Sequence, residues 1–252
     1  MLSLTGALPT GMVLNPNKCA VISFSRKAVP VHFDYQLFGT QIERVYCIKD
    51  LGVILDQKLS FTQHASSIVG KASRQLGFLF RAAKNFTNIE CLKTLYCSLV
   101  RSILEYCSAV WSPYYLNGST RIETVQRRLV RYALRRLPWR NPFQLPSYES
   151  RCRLIKLDTL QVRRDVARAL FVADVLTSRV DCPFLLANVN VRAPLRTLRT
   201  RTFLEVPFRR SLHGANLALV GLQQNFNRAS LAFDFNLSRD ILKRRFFNVF
   251  RF

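Results

Sequence analysis

The feature that most constrains this chain is a change of hydrophobic period near residue 60. Before it, CAVISF (19–24), VHFDYQL (31–37), QIERVY (41–46) and LGVIL (51–55) are short apolar or alternating runs, two of them divided by a Phe-Gly-Thr turn at 38–40. That pattern predicts a hairpin with added strands, a small antiparallel sheet. After residue 60 the apolar residues recur every three or four positions, and the sheet gives way to helices.

Three helix starts are written as capping boxes, in which a hydroxyl accepts from the third amide and a Glu or Gln three residues on returns to the cap: Ser60-x-x-Gln63, Thr87-x-x-Glu90 and Thr120-x-x-Glu123. The first helix carries a stripe of Ala65, Ile68, Val69, Ala72, Leu76, Leu79, Phe80 and Ala83. The second repeats the spacing through Ile89, Leu92, Leu95, Tyr96, Leu99, Ile103, Tyr106 and Val110, and Pro113 ends it. In the third, 121–137, the residues Ile122, Val125, Leu129, Ala133 and Leu137 fall on one face. Arg121, Arg127, Arg128, Arg131 and Arg135 fall on the other, and only Arg136 lands in the apolar arc. Short connections predict antiparallel neighbours in a bundle.

PWRNPFQLP at 138–146 breaks the pattern. Beyond it a helix is expected over about 158–179 and another near 238–250, with weak periodicity between them. The fold class expected is α+β, mainly α: a small antiparallel sheet region over 1–58, a three-helix bundle over 59–137, and a basic, mainly helical region over 138–252.

Half the residues are apolar, enough for a core, but 38 Lys and Arg face 15 Asp and Glu, a net charge of +23. Such a balance calls for a polyanionic partner, nucleic acid first. The excess is concentrated: residues 121–168 hold twelve Arg and one Lys against four acids, an excess of nine, and basic residues recur at 192–210 and 239–251. No apolar run approaches the ~18–20 residues of a membrane span. Seven cysteines without a Cys-x-x-Cys pair, and three scattered histidines, offer no zinc ligand set and read as reduced thiols of an intracellular protein, nuclear or cytoplasmic.

Catalytic patterns are not found. No two acidic residues are adjacent, as two-metal phosphoryl transfer would favour, and no Gly-rich phosphate loop or nucleophile beside a matched His is present. Asp34, Glu43, Asp50 and Asp56 fit turn or surface duty, His64 fits packing, and Asp174 in FVAD fits a solvated helix position. Tyr114, Tyr115, Trp139 and Phe143 are aromatic enough to stack on bases, but their spacing suits core or loop packing better. The residues describe a binder.

LNPNKCAVISFSR (14–26), GTQIERVYCIKDLGVILDQKLSFTQH (39–64), SLVRSILEYCSAVWSP (98–113), RIETVQRRLVRYAL (121–134) and LPSYESRCRLIKLDTLQVRRDVARALFVADVL (145–176) together resemble the C-terminal part of non-LTR (LINE-type, jockey-like) retrotransposon reverse transcriptases. The resemblance implies that Leu14–Arg26 completes a palm, that Lys49, Asp50, Leu51, Gly52 and Val53 form a primer-grip-like element, and that the capped helices form a thumb. Lys71, Arg74, Arg81 and the arginines 121, 127, 128, 131 and 135 would then meet RNA or an RNA–DNA duplex.

In the family, the Asp-Asp turn that binds Mg lies upstream of the Asn-x-x-Lys segment. Here that segment falls close behind Met1, so the expectation is a partial reading frame with no catalytic residue, no metal ligand and no cofactor of its own. Two other readings stay open: a stand-alone basic RNA-binding or assembly protein, and a decayed element without function.

Overall fold

A computed structural model describes residues 14–26, 33–113, 115–136, 146–192, 202–215 and 217–251. The chain is α+β and mainly helical, and it divides into two compact units, Met1–His64 and Ala65–Phe252. The boundary expected at 58 lies within the first unit. The second, expected at 138, falls within the larger unit, at a stretch (137–145) outside the described residues.

In the first unit β1 (Ala20–Val21) pairs in parallel with β4 (Glu43–Arg44), a departure from the wholly antiparallel sheet expected. The other pairs are antiparallel hairpins: β2 (Gln36–Leu37) with β3 (Thr40–Gln41), and β5 (Cys47–Asp50) with β6 (Val53–Asp56). Both turn through two left-handed residues, Phe38–Gly39 (φ 52° and 77°) and Leu51–Gly52 (φ 42° and 85°). Positive φ at both central residues is the type I′ geometry whose twist matches the flanking strands.

The junction after β6 is built by one carboxylate. Asp56 accepts from the amides of Lys58, Ser60 and Phe61 (3.0, 3.0 and 2.9 Å) and from the Ser60 hydroxyl (3.0 Å). These bonds hold Leu59 and Phe61 at φ 48° and 55°, costly for residues with a Cβ. Ser60 is therefore not the head of a capping box, and α1 starts two residues later, at Thr62–Ala82. Gln63 instead accepts from the Cys47 thiol at 3.2 Å. Buried His64 takes the Ile54 amide on Nδ1 at 3.2 Å, the packing role expected.

Burial works against the Asp56 charge, but the bonds from Ser60, Phe61 and Lys58 outweigh it and hold the carboxyl below the usual range. A depressed folded-state pKa means the contribution is complete above the unfolded value of about 4 and is lost as pH falls through the lower folded value. Asp56→Ala is expected to cost about 1 kcal/mol at neutral pH, and the deficit should vanish in strong acid when unfolding is followed against pH.

In the second unit α2 (Ile89–Tyr96) is capped by Asn88, whose Oδ1 accepts from Glu90 and Cys91 at 2.8 and 3.4 Å, so the cap is one residue beyond the expected Thr87. The helix runs through a π-turn at Cys97–Arg101 into α3 (Ser102–Glu105). It breaks at Cys107, which is left-handed at φ 52°, before α4 (Ser108–Trp111). Leu92, Tyr96, Val100 and Leu104 are its buried residues. A four-residue step drifts about 40° on an ideal α-helix, and the wider π-turn absorbs that drift. In consequence Leu99, Tyr106 and Val110, expected in the core, are exposed.

α5 spans Leu116–Leu134, so Thr120 lies inside it and caps nothing. Glu123 turns inward instead. Its Oε1 accepts from the Tyr148 hydroxyl of α6 (Tyr148–Leu154) and, at 3.0 Å, from the first amide of α7 (Leu160–Leu176). Gln126 joins the same network, taking the Tyr96 hydroxyl at 3.0 Å and giving to Tyr148 at 3.0 Å and to the Asp158 carbonyl at 2.9 Å. Burial and the neighbouring Glu123 charge push the Tyr148 phenol far up, so it remains a donor.

Beyond α7 come α8 (Pro183–Ala187), a short hairpin of β7 (Asn190–Val191) and β8 (Leu204–Glu205), α9 (Leu212–Ala215), α10 (Ala218–Ala229) and α11 (Arg239–Phe250). α7, α10 and α11 share one core, filled by Val166, Leu170, Leu222, Phe226, Leu242 and Phe246. Phe203, Phe226 and Phe233 meet edge to face there, with centroids 5.0–5.9 Å apart. Asp174, expected in solvent, is buried and paired with Arg239 at 2.8 Å and Arg179 at 3.9 Å. All seven cysteines are free, and only Cys152 is buried.

Candidate nucleic-acid interface

Three contacts set the relation of α1 to α5. Arg121 Nη1 gives to Ser66 Oγ at 3.0 Å, the Tyr132 hydroxyl to the Phe80 carbonyl at 3.1 Å, and Arg136 Nη2 to the Lys84 carbonyl at 2.9 Å. Positions rise together along both helices, so they run parallel, the first and third members of an up-down-up arrangement. Tyr132 stacks on Phe80 (centroids 4.1 Å, 23°), and the Arg136 guanidinium lies over the outer face of Tyr132 at 4.1 Å. That explains why Arg136 falls in the apolar arc: its charge is spent on the seam.

With the seam and the buried stripes fixed, the remaining sides follow from about 100° of rotation per residue. Arg74 and Arg81 of α1, with Lys71 at the outer margin, emerge on the same side of the helix pair as Arg121, Arg128, Arg131 and Arg135 of α5. Arg127 sits at the far edge, its guanidinium 4.8 Å over the Tyr148 ring. All eight residues are exposed, and none of them forms an ion pair among the described residues. The sole carboxylate in the two helices, Glu123, is buried and points away.

Two features order this surface. Arg74 and Arg81 are seven apart, as are Arg121, Arg128 and Arg135, so each helix carries a row of guanidiniums spaced ~10.5 Å along its axis. Each guanidinium can therefore meet a separate phosphate. On α1, glycines lie one turn before each arginine: a Cβ at Gly70 would stand 3.8 Å from Arg74 Nη1, and one at Gly77 3.7 Å from Arg81 Nη1. The guanidiniums thus lie back along the helix.

Not every arginine of 121–168 belongs here. Arg163 makes two hydrogen bonds to Glu105, Arg168 gives to the Ser112 carbonyl at 3.3 Å, and Arg164 is 1% exposed. The charge count over that segment therefore overstates the surface: α7 puts three cations inward. A sequence pattern does hint at this, since Arg164 and Arg168 share a helix face with buried Leu160.

In the hairpin of β5 and β6, Lys49, Asp50, Leu51 and Gly52 are exposed at the tip, whereas Val53 is buried. Leu51 is 82% exposed and left-handed, a site where Asn is easier. Leu51→Asn is expected to stabilise the first unit by about 0.5–1 kcal/mol in denaturant unfolding, by relieving the turn. Tyr115 is half exposed; Tyr114, Trp139 and Phe143 lie outside the described residues.

Among the described residues no cluster of three or more His, Cys, Asp or Glu could hold a metal ion, and no helix is long and apolar enough to cross a membrane. No protein-family model matches this sequence, and no curated protein and no solved structure matches it.

Proposed function

We propose that this chain holds RNA or an RNA–DNA duplex by its sugar-phosphate backbone, in the manner of the primer-grip and thumb parts of the non-LTR reverse transcriptases it resembles. The observation that carries the reading is the shared face of α1 and α5, where seven exposed cations stand without one carboxylate. Guanidiniums on a rigid helix pair bind phosphates through paired N–H donors and supply affinity without reading bases. No chemistry on the nucleic acid is assigned to these residues; their role is to grip.

Binding should therefore depend on backbone geometry rather than on sequence. Fluorescence anisotropy with several unrelated RNA duplexes and RNA–DNA duplexes at one fixed salt concentration is expected to give dissociation constants within about threefold of each other, since backbone contacts carry no sequence information. A strong preference for one base sequence, or no binding to any of them, would overturn the proposal.

A further inference from the structure

A cleft of about 530 Å³ opens where α6 turns into α7, beside the end of α11. Its floor is apolar, made by Val162 and by the buried Cys152 and Leu157. Its rim is cationic: Arg153, Lys156 and Arg251 line it, with Glu149 and Asp158 as the acids. Both acids are committed. Asp158 takes two bonds from Arg251, at 2.6 and 3.0 Å, and Glu149 is bonded to its own amide and to the Ser147 hydroxyl, with Arg127 and Arg151 beside it. Arg153 and Lys156 are exposed, and neither forms an ion pair among the described residues. Glu90, whose charge Lys156 also feels, is bonded to Lys93 at 2.7 Å.

Two details suit this cleft to a flat ligand with an anionic group. The Arg251 guanidinium is held by both oxygens of Asp158 and stands 5.4 Å from the centroid of the Phe247 ring, so it is a fixed plane of the kind on which bases stack. Lys156 is left-handed (φ 54°) just past the end of α6, where glycine is the easy residue, and its place there sets an ammonium at the lip of the cleft.

Position ties the cleft to the basic helix face. Arg127 of α5 lies over the ring of Tyr148, the first residue of α6, and the next residue, Glu149, already lines the cleft. A strand that passes Arg127 has only α6 to cross before it meets Arg153 and Lys156. A duplex would leave the apolar floor unused, because its bases are stacked inside and it presents phosphates. An unpaired nucleotide offers a phosphate and a flat apolar ring together.

We infer that this cleft holds an unpaired nucleotide of the strand gripped by α1 and α5, with its phosphate on Arg153 and Lys156 and its base between Arg251 and the floor of Leu157 and Val162. The inference rests on the proposed grip, and the test separates the two.

Fluorescence anisotropy of the full chain compares one RNA duplex with blunt ends, with short 3′ overhangs and with short 5′ overhangs. One overhang form is expected to bind about tenfold more tightly than the blunt form, the yield of one stacked base with its phosphate. The double variant Arg153→Gln, Lys156→Gln, which changes only exposed side chains, should erase that advantage while the blunt duplex still binds. A photoreactive uridine in the favoured overhang should cross-link to residues 149–162 in the unaltered chain. Equal affinity for all three duplexes overturns the cleft and leaves the grip standing. An advantage that survives the double variant, or cross-links confined to other segments, also overturns the cleft. Binding to none of the three overturns the grip and the cleft with it.

Discussion

Replacing Arg74, Arg81, Arg128, Arg131 and Arg135 together by Gln should leave the chain folded and reduce its affinity for an RNA duplex by two to three orders of magnitude at low salt. The expectation rests on their exposure and on their lack of ion pairs among the described residues. If each meets one phosphate, the slope of log K against log salt becomes shallower by about 3.5–4.5, at 0.7–0.9 per contact. A control with the same change of net charge replaces Arg209, Arg210, Lys243, Arg244 and Arg245, exposed residues elsewhere in the chain without an ion pair among the described residues. Equal weakening by both sets would mean that net charge alone attracts RNA and that the helix pair is not the grip.

The second large effect concerns stability. Glu123→Ala strands the Tyr148 hydroxyl and the Leu160 amide as buried donors, and it removes the carboxylate that most favours the charge of the buried Arg164. Unpaired buried donors cost about 1–3 kcal/mol each, and an uncompensated buried charge adds to that. A total near 3–5 kcal/mol is expected, a fall in Tm of roughly 6–20 °C. Glu123→Gln keeps an acceptor for both donors and should cost about 1–2 kcal/mol. If calorimetry finds Ala no worse than Gln, the network does not hold α5, α6 and α7 together.

Much of the helical layout could be read from spacing, because a buried stripe on a long exposed helix leaves a clear period. Ala65 to Ala83 and Ile122 to Ala133 are where the pattern puts them. Capping was less legible, for a physical reason. A hydroxyl followed three residues later by Glu fits a helix start, but the Thr120 pair lies inside a helix, and its Glu123 serves another helix start across the bundle. Helix α10 went unread because Gln223 and Asn225 are buried among its apolar residues and blur the stripe; Gln223 Nε2 gives to the Asn188 carbonyl and Asn225 Nδ2 to Asp165. The π-turn at 97–101 shifts the buried face in a way that an ideal helix cannot show.

The candidate site was legible residue by residue but not as a surface. Period alone shows that Arg128 and Arg135 face away from the core; that they share a side with Arg74 and Arg81 follows only from the contacts of Ser66, Phe80 and Lys84 with α5. Conversely, the inward turn of Arg163, Arg164 and Arg168 is invisible to a count of charges, because the count has no term for burial.

The central claim, that the paired helices grip a nucleic-acid backbone, is tested most directly by the salt dependence of binding of the unaltered chain to an RNA–DNA duplex. Five to seven phosphate contacts predict a slope of log K against log salt of about −3.5 to −6. A slope near zero, or no measurable binding at low salt, would contradict it.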